Sequence, residues 1–281
     1  MTIEVTDDDK FLFDLQGFLI FRGAIDRTLC DALLNAVIAN EEKEHDNSWS
    51  RDFADGPGKH GPKDTNVDHQ IRLNGLSRLD PVFDELIAHP AVLPYLNAFM
   101  ISPQLVNAWS ISKFKGCGNG GWHHGLPVED YSVRGGEVRS PMTNVITMLT
   151  PNHPGDGCLA ILPGSHKMNY EPDYARLGQS GLNHPGSVEV TGEPGDVLIF
   201  TEALSHTGTK KTTPGRRTNL QYNHAYLSRA CPMSDTKNCL NYWMPPSIRS
   251  RFTPERKALT RWMGYTIPDR DYPQFDGWRE Q

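Results

Sequence analysis

Residues 195–206 read GDVLIFTEALSH, and the fold turns on that stretch. Val197, Leu198, Ile199 and Phe200 make an apolar run too short for an ordinary helix and preceded by a Gly-Asp turn signal, so they predict a buried strand. The run leads through Thr201–Ser205 into His206, which places a histidine just past a strand end. Working outward, residues 105–114, 143–149, 158–162 and 218–226 read as further strands bounded by Gly and Pro. No helical pattern separates them in the manner of repeating βαβ units, so the expectation is an antiparallel sandwich or barrel.

The first hundred residues differ. Residues 11–24 (FLFDLQGFLIFRGA) predict a short helix and, after Gly17, an extended apolar stretch. Asp26 precedes an amphipathic run with Leu29, Leu33, Leu34 and Val37 at helical spacing. Residues 81–99 predict a further helix. Between them, residues 47–66 are polar and rich in Gly, Asp and Pro, the composition and length of a lid or substrate-facing loop. The reading is a single domain over residues 1–281, mostly β with flanking helices. Its helices fall within about 10–100, its β core within about 105–230, and a C-terminal covering segment over 231–281.

The chain has 281 residues, of which 25 are Gly and 21 Pro, which favours many turns over long disorder. A formal charge of -6 gives no basic face for nucleic acid or an anionic membrane. Cys30, Cys117, Cys158, Cys231 and Cys239 show no CxxC pairing, which argues against a thiolate zinc site and fits a reducing cytoplasm. The start, MTIEVTDDDK, has no apolar signal core, and no run is long enough to span a bilayer. A soluble, cytoplasmic protein is expected.

Three pieces carry chemistry: Trp122-His123-His124-Gly125 after a glycine-rich turn, His206, and the Arg216-Arg217 pair ten and eleven residues later. Imidazole suits Fe(II), and two histidines on neighbouring strands can take adjacent coordination positions while leaving others open. A chelating dicarboxylate needs a fixed cation at its far end, which arginine's planar fork supplies.

These pieces resemble the phytanoyl-CoA dioxygenase family of Fe(II)/2-oxoglutarate enzymes. The family's W-H-x-D, G-x-L-x-x-x-P-G-S-H-K, G-D-x-x-x-F-x-x-x-x-x-H and later arginine are matched by WHHG at 122–125, GCLAILPGSHK at 157–167, GDVLIFTEALSH at 195–206 and Arg217. GFLIFRGAID near the N-terminus also resembles the family's opening. The resemblance spans roughly residues 10–230. It implies a double-stranded β-helix (jelly roll, cupin-like), with Fe(II) on His123 and His206, 2-oxoglutarate clamped by Arg217, and dioxygen. The place directly after Trp122 favours His123 over His124. Consecutive strand residues face opposite ways, so only one of Arg216 and Arg217 can point inward; the family spacing that the resemblance supplies favours Arg217, with Arg216 solvated. Arg72 is a candidate second cation near the cosubstrate.

The chain departs from the family at Gly125, where an aspartate is usual, so the 2-His-1-carboxylate triad is incomplete. H-x-G resembles the Fe(II)/2-oxoglutarate halogenases, in which chloride takes the carboxylate's place. That resemblance tilts the expected reaction toward halogenation of an unactivated C–H bond. The alternatives are a hydroxylase with water or another carboxylate at iron, a non-catalytic metabolite-binding jelly roll, and a zinc hydrolase or isomerase. Glu129, Asp130 and Glu202 are the candidate replacement carboxylates; Glu202 sits four residues before His206. Gly116, Gly118, Gly120 and Gly121 do not open a helix, which makes them a turn beside the site rather than a dinucleotide loop. His166 is expected to stabilise the PGSHK turn or edge the site, and Trp109, Trp122 and Tyr131 to line a pocket or fill core.

Overall fold

The computed structural model describes residues 4–43, 63–64, 69–171, 173, 182, 184–226, 244 and 246–261, with side chains at all of these except 63, 64 and 246. The described strands are β1 (Phe18–Phe21), β2 (Lys63–Asp64), β3 (Gln70–Asn74), β4 (Pro103–Phe114), β5 (Ser132–Arg134), β6 (Glu137–Arg139), β7 (Met142–Met148), β8 (Leu159–Ile161), β9 (Val188–Val190), β10 (Val197–Thr201), β11 (His206–Gly208) and β12 (Arg216–Tyr226). A seven-stranded antiparallel sheet runs β1-β10-β7-β12-β4-β3-β2, and a three-stranded sheet runs β11-β8-β9. This is the mostly β, antiparallel jelly roll that the sequence implies.

The 195–206 stretch explains how two sheets and a helical layer share one chain. Val197 and Ile199 belong to the larger core, under Leu33, Val37, Leu220 and Tyr222. Leu198 and Phe200 point the other way and pack with Ile146, Ile161 and Val190, the last two from the smaller sheet. β10 is therefore buried on both faces, which is why it reads as an unbroken apolar run. Gly195 starts it with φ +96, and a Cβ there would collide with the Ile25 carbonyl. Asp196 accepts from Gly23 N (2.8 Å), Glu193 N (2.9 Å) and Arg22 Nη1 (2.7 Å), which fastens the turn to the N-terminal region.

Helices α1 (Asp7–Gln16) and α2 (Arg27–Glu42) form as expected, the first closed by a Thr6–Asp9 capping box and the second capped by Asp26. Two expectations need correction. The helix expected over residues 81–99 is a 3-10 turn at Pro81–Leu86 and a separate helix at Leu93–Phe99, because Pro90 interrupts the backbone ladder between them. The β core also reaches outside 105–230: β1 pairs with β10, and β3 pairs with β4. Of the 47–66 loop only residues 63 and 64 are described, and much of the 231–281 segment lies outside the described residues. The described part of that segment is bonded to the rest of the chain. Arg251 binds Asp84 (2.6 Å) and the Ser77 carbonyl (2.6 Å), and Ala258 O accepts from Gln104.

Candidate metal centre

Backbone pairing brings the two histidines together. His123 N donates to His206 O (3.1 Å) and His206 N to His123 O (2.9 Å), an antiparallel bridge between the glycine-rich turn and β11. Residues opposite one another in such a pair project to the same side. The imidazole centroids are 4.3 Å apart. Each Nδ1 lies within hydrogen-bonding distance of a backbone carbonyl, Gly121 O for His123 (2.9 Å) and Leu204 O for His206 (2.8 Å). A carbonyl can only accept, so both Nδ1 atoms carry hydrogen and both Nε2 lone pairs are free for a metal. Burial, and then His123, push the His206 imidazolium down to about 3, which keeps that ring neutral.

The third member is Glu202. One ligand atom each from His123, Glu202 and His206 lies within 4.8 Å of the others, and Glu202 Oε1 is 4.0 Å from His206 Nε2. The turn that Leu204 N closes onto Thr201 O folds Glu202 back toward His206. Gly125 N donates to Glu202 O (2.9 Å), so the glycine and the glutamate are locked side by side. A Cβ on Gly125 would lie 2.8 Å from Glu202 Cδ and closer still to Oε1. The carboxylate of Glu202 thus fills the room that a side chain at 125 would claim. Asn144 Nδ2 donates to Glu202 Oε2, leaving Oε1 toward the histidines.

Of the other candidate carboxylates, Glu129 lies exposed on a separate cleft beside His124, Met168 and Glu171, and neither it nor Asp130 joins the three. His124 is turned away, bonded to Leu126 O (2.7 Å) and Glu171 (2.9 Å). The geometry supplies what Fe(II) needs, two imidazoles and a carboxylate around one point. Burial holds the Glu202 carboxyl up at about 7, so in the absence of metal it is largely protonated in mild acid. A ligating carboxylate must be ionised. Metal affinity should therefore rise as pH climbs toward about 7 and level off above it, His206 being neutral throughout. Anaerobic Fe(II) titrations from about pH 5.5 to about 8.5 check this; an affinity flat across that range would count against Glu202 as a ligand.

A cavity of about 470 Å³ opens beside His123 and His206 and runs between the sheets to Arg217. Arg217 is 5% exposed; one of its Nη atoms donates to Gly157 O, and its buried Nε has no partner. An orphaned guanidinium donor beside a cavity ending at a metal-competent cluster fits a chelating dicarboxylate such as 2-oxoglutarate. Arg72 reaches the same cavity, its guanidinium 5.4 Å from the Trp109 ring centroid. Arg216 was expected in solvent; instead it is half-buried on the other face, ion-paired with the buried Glu41 at 2.8 Å. That burial follows from α2 covering the outer face of the sheet.

His166 holds the PGSHK turn, its Nε2 3.0 Å from Asp14 O and its ring edge-on to Tyr131. Ser165 Oγ in the same turn accepts from Ser205 N (2.8 Å), steadying the residue before His206. Trp109 lines the cavity, whereas Trp122 packs with Ala160 and Leu162. The glycine turn closes against β11, with Gly120 N bonded to Gly208 O (2.8 Å). Sequence reasoning missed Asn144 and Lys113. Strand alternation along Trp109, Ile111 and Lys113, all cavity-lining, was the signal available for the lysine.

The chain belongs to the phytanoyl-CoA dioxygenase (PhyH) family, whose model matches residues 13–219. Among solved structures it is similar to HygX from Streptomyces hygroscopicus with nickel and 2-oxoglutarate bound, at 19% identity and TM-score 0.64, covering 80% of this chain and 88% of that one. It is also similar to SnoK, a non-heme alpha-ketoglutarate-dependent carbocyclase from nogalamycin biosynthesis (16% identity, TM-score 0.55, 79% of this chain and 84% of that one). SnoN, an epimerase from the same biosynthesis, follows at 13% identity and TM-score 0.53, with 77% and 79% covered. No curated protein matches. The fold is that of Fe/2-oxoglutarate-dependent enzymes, with a possible metal site at His123, Glu202 and His206. No helix among the described residues is long and apolar enough to cross a membrane.

Proposed function

We propose that the protein is an Fe(II)/2-oxoglutarate-dependent hydroxylase of an unactivated C–H bond in a small molecule, with iron on His123, Glu202 and His206. One observation carries the choice of hydroxylation over halogenation: the Glu202 carboxylate stands in the space that Gly125 leaves, where a halide would have to bind. Arg217 binds the far carboxylate of 2-oxoglutarate, and Arg72 offers a second cation along the same wall. Bound together, iron and 2-oxoglutarate supply the activation of dioxygen that attacks a C–H bond. The residues orient: the backbone carbonyls at 121 and 204 fix the imidazole tautomers, and Asn144 fixes the carboxylate. Phe200, 5.0 Å from the His206 ring, walls off that side of the centre from water. The described cysteines, Cys30, Cys117 and Cys158, are buried and unpaired, which suits a cytoplasmic enzyme.

The test needs no knowledge of the substrate. Iron-loaded protein with 2-oxoglutarate under air should release succinate slowly, and chloride or bromide should change neither that rate nor the visible absorption of the anaerobic Fe(II)–2-oxoglutarate complex. A halide-dependent shift, or a halogenated product, would favour the halogenase. Absence of any 2-oxoglutarate binding with iron present would favour a non-catalytic jelly roll.

A further inference from the structure

The register of β4 and β12 sets Lys113 directly opposite Arg217, so the two side chains leave the same face of the sheet, and both line the cavity. Lys113 is 6% exposed. Its ammonium donates to Thr209 O at 2.9 Å, one bond for a group with three donors. Two glycines make its path possible. A Cβ on Gly157 would lie 3.1 Å from Lys113 Cδ, and one on Gly208 only 2.8 Å from Nζ.

Neither cation has a carboxylate among the described residues. Asp156, the acidic group whose charge reaches Arg217, is held by Lys211 (3.1 Å) and Thr213. The other titratable groups whose charge reaches both cations are the thiols of Cys117 and Cys158, and burial pushes the second of these up to about 12, so it brings no negative charge. Two buried like charges side by side are costly unless an anion joins them. Burial, and then Arg217, bring the lysine down to about 8, which is the sign of that cost in the cavity without an anion.

We propose that Lys113 is a second anchor for the far carboxylate of 2-oxoglutarate, gripping it together with Arg217 and making the pocket selective for a dicarboxylate. The proposal rests on the oxygenase reading above. The competing account is that Lys113 merely props the Thr209 end of β11.

Calorimetric titration of Ni(II)-loaded protein separates the two. K113M should weaken 2-oxoglutarate binding by about tenfold or more, the usual loss for a charge-assisted hydrogen bond. It should leave binding of 2-oxopentanoate, which lacks the far carboxylate, and of the metal itself unchanged. K113R, which keeps the charge, should recover part of the loss. K113Q keeps a donor for Thr209 without the charge, and it carries the same expectation if K113M does not fold. Equal weakening of both 2-oxo acids, or no weakening of either, would overturn the role of Lys113. Failure of the unaltered protein to bind 2-oxoglutarate would overturn the oxygenase reading instead.

Discussion

Glu202→Ala should cost iron affinity more than the roughly 100-fold upper figure for losing a hydrogen-bonding partner of a ligand, because here a ligand itself is lost. Gly125→Asp alone should also weaken the centre, since the new side chain needs the volume that Glu202 occupies. The two changes together should recover part of the affinity and of the succinate release, the carboxylate having returned to the place the family usually gives it. Chloride should support metal binding in Glu202→Ala and not in the unaltered protein, because only the variant has lost the carboxylate whose place a halide would take. Anaerobic Fe(II) titrations of the four proteins, with and without chloride, measure the affinities, and succinate release under air measures the recovered turnover. Iron binding by Glu202→Ala at the unaltered strength would remove Glu202 from the centre.

The second large effect is expected at Arg217. Removing one partner of a buried, hydrogen-bonded charge pair costs about 2–5 kcal/mol, which is roughly 30-fold to several-thousandfold in Kd. Arg217→Met should therefore raise the Kd for 2-oxoglutarate into that range while leaving the affinity for iron near normal, since Arg217 is not among the three metal-competent residues. Arg216→Met is the control. Its ion pair is with Glu41 on the outer face, so 2-oxoglutarate binding should not change. Equal effects of the two substitutions on 2-oxoglutarate would mean that the inward–outward assignment of the pair is wrong.

Much of the fold was legible because β10 announces itself as an apolar run and the strands around it are bounded by Gly and Pro. Strand β12 began two residues earlier than its apolar residues suggested, at Arg216, because two charged residues can sit in a strand when one has a cavity and the other an acidic partner. The break at Pro90 was visible in principle; helical periodicity on both sides of it concealed that the backbone could not continue. The candidate site was legible as far as the meeting of His123 and His206 and the place of Arg217 on the same cavity, because each lies in its own short local motif. Glu202 was weighed only as one of three candidate carboxylates. Its approach depends on the reverse turn at residues 201–204 and on Gly125 lacking a side chain, a relation across 77 positions that no strand-period argument reaches. Lys113 escaped for the same reason: its significance is a cross-strand register.

The meeting of Gly125 and Glu202 changes how relatives of this chain should be sorted by chemistry. Two positions have to be read jointly: the second after the proximal histidine and the fourth before the distal one. On the proposed ligation by Glu202, glycine at the first with glutamate at the second describes a three-ligand set completed by protein, whereas glycine with a neutral residue describes one that awaits an exogenous anion. Sorting on the first position alone would file both with the halogenases.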